Sequence, residues 1–181
     1  MKKIVSIIIA VGIVFIACSC SNDTPLDEVP FYLGESYEDA YEDMKEITDD
    51  VYKDDETIEG KDVTLFGSEV NPCSVILNVK EGDSNGVTWI SLGFNYGLDE
   101  DPDYKESFQQ DYEVILDKLK DEYGEPTNES TTESTMVKET KWDNGDAEII
   151  LEVEEMDMQH AFNWVGMYMN VQISKVEENI E

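Results

Sequence analysis

Arginine is absent from this 181-residue sequence, and its 12 lysines face 43 aspartates and glutamates, a formal net charge of −31. A chain so poor in cations cannot neutralise phosphates, which excludes nucleic acid as a partner. Attraction to an anionic lipid face is excluded on the same ground. Histidine occurs once, as His160 in Met-Asp-Met-Gln-His-Ala. A general acid–base role needs a partner within hydrogen-bond reach. Asp157 is near in sequence but no nucleophile accompanies it, so His160 reads as a surface-loop residue. Cysteine occurs three times, at Cys18, Cys20 and Cys73, without a Cys-x-x-Cys pair or a Cys/His metal spacing. There is no Gly-x-Ser-x-Gly elbow, phosphate-cradling glycine loop or His-Glu-x-x-His helix. The stretch Asp99-Glu100-Asp101-Pro102-Asp103 starts like a calcium loop, but Tyr104 and Gln110 occupy the positions that require glycine and glutamate. Helix capping by Asp101 explains it more simply. No catalytic residue, metal site or cofactor is expected.

Long apolar runs are also missing, with one exception. Lys2 and Lys3 precede an almost unbroken apolar run from Ile4 to Ala17. It is shorter than the roughly 17–25 residues of a membrane-spanning helix, and small residues follow at once, the order of an export signal. Phe15-Ile16-Ala17-Cys18 resembles the lipobox of bacterial lipoproteins. That resemblance implies a signal peptide over 1–17 and a lipidated Cys18, with Cys20 as the alternative. A Cys-Ser-Asn-Asp start at Cys20 is similar to small lipoproteins of the Bacteroidetes type, some of which reach the cell surface. It implies the outer membrane of a Gram-negative envelope, facing the periplasm or the outside. Ordinary secretion with incidental cysteines is the other reading. Removal of the leader takes Lys2 and Lys3 with it, so the negative balance deepens.

Residues 18–30 are polar, hold Pro25 and Pro30, and read as a lipid-anchored tether. Residues 31–181 read as one α+β domain of two units, about 31–97 and 98–181. In the first unit Ser36 caps a helix, with Asp39 in a capping-box relation. Tyr37, Ala40, Tyr41, Met44, Ile47 and Val51 form its apolar stripe. Strands are expected over about Lys61–Gly67, Cys73–Lys80 and Val87–Tyr96, with Asn85-Gly86 as a hairpin turn. In the second unit Asp101-Pro102 opens a helix that Gly124 and Pro126 stop. Thr127–Thr135 reads as a link, and strands follow over Met136–Trp142, Ala147–Glu154 and Trp164–Ser174. The expected architecture is therefore two helix-β-β-β units, an antiparallel sheet with helices packed on one face. Cys73 heads an alternating strand and reads as a small buried hydrophobe. A Cys20–Cys73 disulfide is the alternative.

This element order resembles the small α/β repeats of beta-lactamase-inhibitory-protein and BamE-like proteins, over about Leu33 to Lys175 and without a shared residue motif. The resemblance implies a binding or assembly role. Together with the missing catalytic constellation, it makes the expected function that of a non-enzymatic, lipid-anchored envelope module. Its expected partners are the membrane, through the lipidated cysteine, and an envelope protein or glycan. The aromatic and methionine residues of its expected binding surface are Trp89, Trp142, Trp164 and Met167. Two other functions stay open: a hydrolase acting on glycan or peptide outside the cytoplasm, and an acidic inhibitor or immunity-type protein for a basic partner.

Overall fold

A computed structural model describes residues 26, 28–80, 86–97, 101–132, 137–157 and 165–176. The elements run α1 (Tyr37–Ile47), β1 (Val51–Lys53), β2 (Thr57–Val63), β3 (Cys73–Lys80), β4 (Gly86–Gly97), α2 (Tyr104–Tyr123), β5 (Asn128–Thr132), β6 (Val137–Asp143), β7 (Ala147–Asp157) and β8 (Val165–Lys175). All eight strands join one sheet in the order β1-β2-β3-β4-β8-β7-β6-β5. Every neighbouring pair is antiparallel.

This overturns the expected pair of helix-β-β-β units. The molecule is mainly a single eight-stranded antiparallel sheet, with two helices as its minor component. Two strands, β1 and β5, were not expected, and β2 runs over Thr57–Val63 where a strand was expected over about Lys61–Gly67. Val51–Lys53 is too short to show a period, and Asn128–Thr132 (Asn-Glu-Ser-Thr-Thr) has no apolar alternation. Both form because a neighbouring strand offers them a ladder of backbone hydrogen bonds, β2 for β1 and β6 for β5. The halves are also not separate units. Their last strands pair at the centre, from Trp89 opposite Ser174 to Gly97 opposite Gly166.

That seam builds one core. Because strand side chains alternate, register sets whole rows. Ile90 stands opposite Ile173, which stands opposite Ile149; Leu92, Val171 and Leu151 make the next row, and Phe94, Met169 and Val153 the third. All nine are buried. Each contributes roughly 1.5–3 kcal/mol of burial. α1 lays Met44 on this side of the sheet, where Gly60 leaves room for it: a Cβ at Gly60 would come within 2.4 Å of the Met44 sulfur. α2 brings Phe108 edge-on to Tyr96, ring centroids 5.4 Å apart.

The helix ends follow local chemistry. Ser36 Oγ accepts from the Asp39 N–H at 3.2 Å and caps α1. α2 starts later than Asp101-Pro102 suggests, at Tyr104. Asp101 instead organises the turn before it, accepting from the Asp103 N–H at 2.8 Å and the Ser107 hydroxyl at 2.6 Å. Gly124, at φ 79°, ends α2.

Within the 18–30 stretch, Leu26 and Val29 are buried in the core beside Phe31, and Glu28 pairs with Lys118 of α2. The chain then runs along the start of β4. The Gly34 N–H donates to Val87 O at 2.7 Å, and the Val87 N–H donates to Glu35 O at 2.8 Å.

Candidate functional site

The rows that alternate with the core rows lie on the other side of the sheet. Register places Asn78, Trp89, Ser174 and Glu148 in one row; Glu59, Ile76, Ser91, Gln172, Ile150 and Lys141 in the next; and Ser74, Gly93, Asn170, Glu152 and Glu139 in a third. A fourth row holds Asn95, Tyr168 and Glu154. Among the described residues neither helix touches this side: the helix contacts are made by Met44, Phe108 and their neighbours on the core side.

The centre of this helix-free side is small and polar. Ser91 donates to Asn170 Oδ1 at 2.7 Å, and both are buried in the sheet surface. Gly93 leaves space that the Tyr168 ring fills, since a Cβ there would lie 3.0 Å from the Tyr168 hydroxyl. Trp89, Ile76, Tyr168 and Ile150 are each half-buried. Part of their apolar surface stays in water.

Charge is distributed unevenly. On β2, Glu59 has Lys61 3.9 Å away. On β6 and β7 the balance fails. Glu139 stands directly opposite Glu152, and Asp143 opposite Glu148. Like charges in direct opposition repel. Lys141, 3.4 Å from Glu139, is the one cation on this part of the side among the described residues. Burial, then Glu139 and Glu154, hold the Glu152 carboxyl above the ordinary range. Burial, then Glu152 and Glu154, raise the Tyr168 phenol. Asp143 has a local task, accepting from the Gly145 N–H at 2.8 Å in the β6–β7 turn.

The expected binding residues are not brought together. Trp89 is on the helix-free side. Trp142 is a core residue: it is 1% exposed, and its indole N–H donates to Gly124 O at 2.9 Å. Met167 is half-buried against the core. Trp164, His160 and both leader cysteines, Cys18 and Cys20, lie outside the described residues. Cys73 is buried and free, and burial pushes its thiol up to about 12. The acid ladder of β6 and β7 was missed by sequence reasoning. The signal was present as Glu139, Glu148, Glu152 and Glu154 in alternating positions, but only register shows that they oppose one another.

A second feature is a cleft of about 330 Å³ at the far end of β4, with Asp62, Asn71, Asn95, Asp101 and Tyr104 in its wall. Beneath it Asp111 accepts from the Tyr96 hydroxyl at 2.9 Å and the Asn71 N–H at 3.0 Å. The Ser107 hydroxyl and the Asp103 N–H hold the Asp101 carboxyl below the usual carboxylate range. That suits a carboxylate that stays ionised, and not a general acid. Among the described residues no three acidic, cysteine or histidine side chains converge as metal ligands, and no helix is long and apolar enough to cross a membrane. The chain matches no protein-family model, no curated protein and no solved structure.

Proposed function

We propose that this chain is a lipid-anchored, non-enzymatic binding module of the bacterial envelope, and that it grips its partner with the helix-free side of the sheet. The observation that carries this reading is that side itself. It presents half-buried Trp89, Ile76, Tyr168 and Ile150 around a small polar centre, with no helix over it among the described residues. Eight strands at about 4.8 Å spacing and roughly seven residues long span about 34 by 24 Å. That is ~800 Å², the area one partner contributes to a standard specific interface. Anchoring rests on the lipobox-like Phe15-Ile16-Ala17-Cys18. A hydrolase reading would use the cleft at Asp62 and Asp101, where the low-lying Asp101 carboxyl supplies a base without a matching acid.

A photo-crosslinking residue placed at Gln172, in the centre of the helix-free side, tests the binding reading in intact cells making the full chain. Discrete adducts are expected from position 172 and none from position 117 on the exposed side of α2. Adducts from 117 alone would reverse the assignment of the surface. Cys18→Ser is expected to leave the leader uncleaved, visible as a mass increase, while Cys20→Ser is processed normally.

A further inference from the structure

The side proposed to bind is divided electrically, and the division identifies the partner. Its β3–β4 half is neutral, with Ser74, Ile76, Asn78, Trp89, Ser91 and Asn95. Its β6–β7 half carries Glu139, Glu148, Glu152 and Glu154 against Lys141 alone among the described side chains. In the free protein Lys141 compensates Glu139 alone, and no cation is paired with Glu152 or Glu154 among the described ion pairs. Direct opposition of Glu139 and Glu152 costs a few tenths to about 1 kcal/mol. Repulsion of this kind is relieved by a cationic surface laid across it.

We propose that the helix-free side receives a basic protein surface, its lysines or arginines over the Glu139, Glu152 and Glu154 carboxylates and its apolar part over Ile76 and Trp89. This rests on the reading of that side as the binding surface and adds the partner's chemistry. A second copy of this chain is excluded as occupant by its net charge of −31. A neutral glycan would stack on Trp89 and Tyr168 but would leave the carboxylates unrelieved. The two halves divide the work of recognition: the charged half steers and orients the partner, and the neutral half supplies apolar contact that persists in salt.

The test uses the full chain in detergent, with cytochrome c, a basic folded protein, as probe. Hydrogen exchange is expected to show protection on β7 and β8. The double variant Glu139→Gln/Glu152→Gln is expected to weaken binding at least fivefold. The control Asp117→Asn/Asp121→Asn removes the same charge from the exposed side of α2 and is expected to change binding less than twofold. Equal weakening by both variants, or protection on α2, would show attraction to overall charge alone and overturn the proposal. Glu152→Gln alone, which keeps the Lys141–Glu139 pair, should also melt no lower than the parent, because it removes a repulsion. A lower melting temperature would show that the ladder is already satisfied in the free protein, which also overturns it. The adducts from position 172 separate the two readings. Adducts from position 172 that are undiminished in the Glu139/Glu152 variant would leave the binding reading standing and remove the basic partner. Loss of all adducts from position 172 in the parent would remove both.

Discussion

Glu35 sits beside Asp43 where the chain enters α1, nearly sealed from water, and the Tyr32 N–H donates to it at 3.4 Å. Burial and the adjoining Asp43 carboxyl raise its pKa from 4.5 to about 7. Between those values the folded protein holds a proton that the unfolded chain has released. The resulting stabilisation is complete below pH 4.5 and is lost as pH rises through about 7. Glu35→Gln keeps the shape and abolishes the titration. It is expected to flatten the dependence of melting temperature on pH between 4.5 and 7, and to exceed the parent at pH 8 by up to about 3 kcal/mol. Thermal melts of both proteins across pH 4 to 8 check this, and parallel curves would refute it. Burial acts in the same direction on Cys73. Its thiol is raised so far that it behaves as a hydrophobic core group, which its place in an alternating strand had already suggested.

At the scale of elements, glycine positions separate rigid from yielding contacts. A Cβ at Gly86 would stand 2.6 Å from Gly34 O, a backbone atom held by the hydrogen bond from the Gly34 N–H to Val87 O. A Cβ at Gly93 would meet the Tyr168 hydroxyl at 3.0 Å, the far end of a side chain that can rotate. Gly86→Ala is therefore expected to cost about 1–3 kcal/mol, and Gly93→Ala less than half as much, read from denaturant midpoints. The reverse ranking would mean that the Gly34–Val87 contact is soft. The same local logic decides which elements could be read in advance. Ser36 with Asp39, Cys73–Lys80 and the Ala147 alternation carry their structure in short-range pattern. Val51–Lys53 and Asn128–Thr132 do not: they are strands only because a neighbour's edge completes them. Trp142 was expected on the binding surface. It is buried because its indole reaches the end of α2, a contact between distant parts of the chain. The candidate surface was legible in part. Trp89 declared itself by facing away from its strand's apolar side. The opposition of Glu139 to Glu152 is a property of register and has no trace in either strand alone.

For the molecule as a whole, a charge of −31 over the full sequence is a standing self-repulsion. The ion pairs do little against it, since most are exposed and each is worth at most about 1 kcal/mol. Salt shortens the range of the repulsion from about 30 Å at 0.01 M to below 8 Å at high concentration. The melting temperature is accordingly expected to rise by about 3–6 °C between 10 mM and 0.5 M sodium chloride. A fall would show that attractive pairs dominate. Binding to a basic partner should move the other way and weaken over the same range, so the two curves cross in sign.

Leu26 and Val29 set how far a lipid on Cys18 could hold the body from a bilayer. With both side chains inside the core, the folded body begins only eight peptide steps after Cys18. Fully drawn out, those steps cover at most about 28 Å, less than the width of a body whose radius of gyration is about 15 Å. If Cys18 carries the lipid, the protein works as a doorstep molecule and not as a fishing line. Whatever it holds would then lie within one tether length plus one body-width of the bilayer.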